Sequence, residues 1–209
     1  MDFSAAAKIV RINLRHNFPM HFGIAVAVAI LTPLVFSISA LDFTSSARPL
    51  EMLLCMAGTA LLTPVFLPEQ NENIRDVIRS KKVDYLSVCI IRVVYSAAAL
   101  AAIVGAFVLA MKLCECNVTL AHFGAGFGSA YFLGAVGLAF AKFGENPTVG
   151  YMASMMYYLG NYGLKDKLGK LYLFSMSSGE NGVNFALILW GTVIIAGTFI
   201  VSKIIDRVK

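Results

Sequence analysis

Six stretches of the chain are almost purely apolar, and polar residues return at the ends of each. They cover residues 22–40, 50–67, 85–111, 121–141, 147–163 and 184–202. A helix needs about 20 largely apolar residues to cross the hydrocarbon of a bilayer. The pattern therefore predicts an all-α membrane protein with six transmembrane helices. The fifth run is the weakest, being short and carrying Asn161 among several tyrosines. The third is the longest; at about 1.5 Å per residue it would reach about 40 Å, more than the bilayer requires. Arg92 lies well inside that run, where its guanidinium can snorkel to the headgroups or face a pathway.

The polar and apolar residues before the first run also have a helical period. Lys8, Arg11 and Arg15 share one face, while Phe3, Ala7, Val10 and Leu14 share another. Residues 1–20 thus read as an interfacial amphipathic helix on an anionic lipid surface, with Pro19 marking its end. The run at 22–40 exceeds the usual length of a cleavable signal core, about 7–15 residues, so it is expected to stay as the first span.

Composition agrees with the pattern. Of 209 residues, 58% are hydrophobic and 14% charged, with a mean hydropathy of +0.75. A soluble domain of this length needs more polar surface. The net charge of +5 matters less than where the basic residues fall. One side of the six spans receives Lys8, Arg11, Arg15, Arg75, Arg79, Lys81, Lys82, Lys142, Lys203, Arg207 and Lys209. The other receives Arg48, Lys112, Lys165, Lys167 and Lys170. Positive flanks face inward, so both termini are expected in the cytoplasm and residues 164–183 form an external loop. No basic tract interleaved with aromatics occurs, and nucleic acid is not an expected partner.

One charged segment, LPEQNENIRDVIRSKK at 67–82, interrupts the apolar sequence on the cytoplasmic side. Pro68 suits a first helical turn. Ile74, Val77 and Ile78 form a narrow apolar stripe; Glu69, Glu72, Arg75, Asp76 and Arg79 take the other faces. Acids precede bases, which complements the helix dipole. A plain connector needs about 2–8 residues, and a lipid-surface helix would be mainly basic on its polar side. The segment is better suited to docking in a groove on another protein.

This layout resembles the permease subunits of type-2 ABC exporters: six spans, an amphipathic N-terminal helix, a Glu-rich helical loop between spans two and three, and a long external loop before the last span. The resemblance implies that residues 68–83 are a cytoplasmic coupling helix. Glu69, Glu72, Ile74, Asp76, Val77 and Ser80 would then contact cytoplasmic ABC ATPase subunits. It also implies short re-entrant or surface helices within GLKDKLGKLYLFSMSSGEN, and a second permease subunit, a homodimer partner or a related chain. The expected setting is a prokaryotic plasma membrane. The chain has no G-x-x-x-x-G-K-[ST] phosphate loop. No cofactor is expected in this chain, and ATP and Mg would be bound by the partner ATPase.

In the fourth run, Gly124 and Gly128, then Ala130 and Gly134, stand four apart, a spacing that lets helix backbones approach closely, within one subunit or at a dimer seam. In the fifth, Met152, Met155, Met156, Tyr157 and Asn161 are candidates to line a path for amphipathic or lipid-like cargo, because methionine adapts to varied apolar partners; lipid-facing filler is the other reading. Asn161 needs a polar partner and so favours the interior. Cys114, Cys116 and His122 lie close in sequence without the spacing of a strong metal site. No H-E-x-x-H, paired acids or nucleophile–base constellation is present, so the chain is not expected to be an enzyme. The rival function is a secondary transporter or channel working without an ATPase. That reading would call for ionisable residues at mid-membrane or matching halves, and the halves do not match.

Overall fold

The computed structural model describes residues 18–67, 85–179 and 185–208. The sequence-predicted interfacial helix lies almost wholly outside these residues, and the coupling helix at 68–83 wholly so. Among the described residues the protein is all-helical, without a strand. The main helices are α1 (Phe18–Val35), α2 (Phe43–Phe66), α3 (Tyr85–Leu113), α4 (Leu120–Phe143), α5 (Pro147–Gly163) and α6 (Phe185–Val208). Five of them are long and apolar enough to cross a membrane; α5, at 17 residues, is just shorter.

Local chemistry sets several boundaries. Helix α1 starts four residues before the apolar run and ends at Val35, two residues past Pro33. Proline provides no amide donor, so the ladder cannot continue normally through it. The chain then turns through Ala40, which has a φ of 49°. Its amide donates to Cys114 O at 3.1 Å, and the Asn117 amide to Leu41 O at 2.9 Å. These bonds join the α1–α2 and α3–α4 turns at one end of the bundle. Helix α2 begins at Phe43 rather than residue 50, because the polar turn Phe43–Arg48 is helical too. It is not uniform. Pro49–Leu54 is a π-helix and Thr63–Phe66 a 3-10 turn, with regular α-helix at Met56–Leu62 between them. Each irregular segment contains a proline that removes one rung of the ladder.

Helices α2 and α4 form the centre, with 78% and 72% of their apolar windows buried, against 11% for α1. Helix α4 packs against α2, α3, α5 and α6. Lipid tails are as apolar as leucine, so close packing rather than water exclusion must join these helices. Small residues make it possible. A Cβ placed on Gly58 would lie 1.8 Å from Ala130 O, and one on Gly134 2.5 Å from Gly58 O. The α4–α5 contact repeats the device, since a Cβ on Gly150 would lie 2.3 Å from Gly137 O. Ala130 and Gly134 thus serve packing within the subunit. Ser154 adds polar support here, donating to Leu133 O at 3.1 Å across the contact.

Candidate functional site

At the end of the bundle where α5 stops and α6 begins, residues 164–179 fold back onto the helices instead of passing over them as an open loop. Short helical turns at Lys165–Leu168, Gly169–Leu171 and Met176–Ser178 flank an extended Tyr172. Leu173, Phe174 and Met176 are essentially without exposure, and Ser175 is buried as well. The cluster LYLF supplies the apolar surface for this. Phe174 packs edge-on to Tyr158 with ring centres 5.5 Å apart, and lies 5.0 Å from the Tyr162 ring. Met176 joins Ala47 and Ala125, while Leu173 and Phe174 enter the main core with Leu50 and Leu54.

A backbone buried this way needs hydrogen-bond partners. Four side chains from three helices provide them. From the π-helical turn of α2, Glu51 accepts the Met176 amide at 3.1 Å on Oε1 and the Ser177 amide at 2.8 Å on Oε2. From α4, Ser129 donates to Leu173 O at 2.7 Å. From α5, Asn161 accepts the Leu173 amide at 2.9 Å while its Nδ2 donates to Tyr157 O at 2.7 Å. Tyr157 donates to Leu171 O at 2.7 Å. Glu51 and Asn161 are fully buried. Tyr158, next along α5, donates to Met52 O and is 2.8 Å from the Tyr162 hydroxyl, which ties α5 to the same π-helical turn. The segment is a strap across the bundle end, pinned by side chains rather than by a backbone ladder.

His122 braces the rim. Its Nδ1 accepts the Thr119 amide at 3.1 Å, which leaves the proton on Nε2; that nitrogen donates to Phe43 O at 2.8 Å. Both ring nitrogens are thereby committed to joining the starts of α4 and α2. Cys116 is buried beside them and Cys114 is exposed.

Arg92 is near the opposite end. It is buried and turned inward, where its Nη1 donates to Val65 O at 3.0 Å, a carbonyl in the 3-10 turn that ends α2. With Phe18, His21, Tyr95 and Ser96 it lines a cleft of about 50 Å³. The inward position differs from that of a snorkelling arginine.

The sequence-predicted pathway residues divide between two faces of α5. Met152, Met155 and Met156 are exposed on its outer side, by 63%, 46% and 75%. Tyr157 and Asn161 point to the strap. Glu69, Glu72, Ile74, Asp76, Val77 and Ser80 all lie outside the described residues. Ser129, Tyr158 and the buried strap residues were not among the sequence candidates, and Glu51 was not singled out. An acid inside an apolar run, and an apolar cluster inside a loop, are the signals that mark them. Comparison with protein-family models, curated proteins and solved structures finds no match to this chain.

Proposed function

We propose that the chain is the membrane-spanning permease subunit of an ATP-driven ABC exporter, moving an amphipathic or hydrophobic substrate such as a peptide, drug or lipid. The observation that carries this reading is the strap. A loop before the last helix that re-enters the bundle as short helical turns matches what the resemblance to type-2 exporter permeases implies for that position. The positive flanks support an external strap and cytoplasmic termini, as this reading requires.

In this account a separate ATPase holds ATP and Mg, and its closure moves the charged segment 68–83. That segment joins α2 to α3, and α2 is packed along the central α4. The path runs between two permease subunits. An outer face rich in Met152, Met155 and Met156 suits such a boundary, because flexible thioethers re-pack around cargo of different shapes. A secondary carrier or channel is the second reading, favoured by the burial of two ionisable side chains, Glu51 and Arg92, among apolar helices.

Glu72→Arg and Ile74→Asp separate the two. Under the exporter reading each abolishes substrate-dependent ATP turnover by the assembled complex, while circular dichroism shows the helices intact. Coupled turnover at the unmodified level in both variants refutes it.

A further inference from the structure

The cleft at the end of the bundle opposite the strap gathers polar groups from two helices. Arg92 and Ser96 stand one turn apart on α3, and both are buried. Phe18 and His21 belong to the first turn of α1, where the Phe18 ring meets Tyr95 edge-on with centres 5.0 Å apart. The 3-10 end of α2 closes the third side, and its Val65 O accepts a bond from Arg92 Nη1 at 3.0 Å. His21 Nδ1 is buried without a hydrogen-bond partner among the described residues. A ring nitrogen left so is costly, and a polar group entering the cleft would relieve it.

The chemistry of these groups favours an oxyanion. A guanidinium has five N–H donors and no acceptor, an imidazole nitrogen can carry a proton, and a serine hydroxyl can donate too. Arg92 and Tyr95 take part in further interactions. A guanidinium fork serves several acceptors at once, so the site does not require Arg92 to be otherwise free. Among the described residues, none that lines the cleft is acidic. The volume is about 50 Å³, room for three or four water-sized groups at about 10–15 Å³ each. That is the scale of one phosphate group, well below the roughly 300 Å³ that a drug-sized molecule needs.

Depth points to the source of that phosphate. Helix α3 has 29 residues and is about 43 Å long at about 1.5 Å per residue, against about 30 Å of hydrocarbon. Centred in a bilayer, its first turns stand among the headgroups. Arg92 lies about 10 Å from the start of α3, within one turn of the boundary between headgroups and hydrocarbon. Lys8, Arg11 and Arg15 precede Phe18 in the sequence, outside the described residues, and basic residues there favour an anionic lipid surface. We infer that the cleft holds the phosphate group of an anionic membrane lipid, with Arg92, His21 and Ser96 as its donors. A phosphate seated there bridges α1, the least buried of the five spans, to α3 and to the end of α2. The site stands independently of the exporter reading.

The test uses the full chain, stripped of lipid in detergent and titrated separately with phosphatidylglycerol, diacylglycerol and inorganic phosphate. Native mass spectrometry counts what stays bound. Phosphatidylglycerol should fill one saturable site. Diacylglycerol, which has the same acyl chains without the phosphate, should bind about tenfold more weakly or worse. Millimolar inorganic phosphate, which lacks the chains, should not displace phosphatidylglycerol. His21→Leu breaks no bond at Nδ1, so helix content by circular dichroism should stay unchanged. Its affinity for phosphatidylglycerol should fall about tenfold, the scale of one hydrogen bond to a charged group. Arg92→Gln should weaken binding at least as much, and Arg92→Lys, which keeps the charge, should recover part of it. His21→Leu decides the matter even where Arg92→Gln fails to fold. Equal binding of the two lipids would reduce the cleft to an acyl-chain contact. Displacement by inorganic phosphate would assign it to a soluble anion, and undiminished phosphatidylglycerol binding in His21→Leu would place the lipid elsewhere. Each of these three results overturns the inference.

Discussion

Gly58→Ala is expected to destabilise the protein more than any other single methyl addition. The new Cβ would sit 1.8 Å from the carbonyl oxygen of Ala130 and 2.4 Å from its carbon. The obstacle is backbone, which has no alternative rotamer, so α2 and α4 must separate by more than 1 Å along their crossing. Overpacking in a core usually costs about 1–3 kcal/mol. Here the expected cost is about 3 kcal/mol or more, because the displaced contact is the one on which the rest of the bundle packs. Gly23→Ala and Gly197→Ala supply the control, since neither Cβ would meet any atom within 4 Å. Removal of a helical glycine at such sites should be neutral or favourable by up to about 1 kcal/mol. Loss of helix content during SDS titration in mixed micelles measures all three. Gly58→Ala behaving like the two controls would mean that α2 and α4 do not cross at Gly58 and Ala130.

Glu51→Leu is expected to have the second largest effect, by a different mechanism. Leucine fills much of the same volume but accepts nothing, which strands the Met176 amide in a buried site and the Ser177 amide in a half-buried one. Each unsatisfied buried donor costs about 1–3 kcal/mol, so a loss of about 3 kcal/mol is expected for the pair. Glu51→Gln keeps one carbonyl acceptor and should lose about half as much. The order Leu worse than Gln, read in the same titration, checks the arrangement. Equal losses would mean that the carboxylate acts through its charge and not as a double acceptor for the strap.

The sequence revealed the helices better than it revealed how they are used. Periods and run lengths located the six main helices among the described residues, and the ends of the third, fourth and fifth fall within about two residues of the apolar runs. The first and second were misplaced for identifiable reasons. Phe36–Ala40 is apolar enough to be read as helix, but it follows Pro33 and must make the turn that places the Ala40 amide on Cys114. Phe43–Arg48 is polar enough to be read as a flank, yet Ser46 and Ala47 are buried against the strap end. The small-residue spacing in α4 correctly marked close packing at Ala130 and Gly134.

The site was harder to read because its bonds join residues far apart in the chain. Glu51 reaches Ser177 across 126 positions, and Ser129 reaches Leu173 across 44. No local period encodes such pairings. Asn161 could be read as needing a partner, since an amide in an apolar helix is costly without one, but the partner itself came from the fold. The methionines of α5 are prominent in sequence without any sign of whether they face inward or outward. A row of apolar side chains suits either direction when the solvent is lipid.

The most direct test of the exporter account is to isolate the tagged full-length protein from its native membranes in mild detergent and then assay it in vesicles. The account predicts that a stoichiometric ATPase carrying a phosphate-binding loop accompanies it, and that the pair hydrolyses ATP to concentrate cargo on one side. Movement of cargo by the purified chain alone, at the same rate with and without ATP, would contradict it.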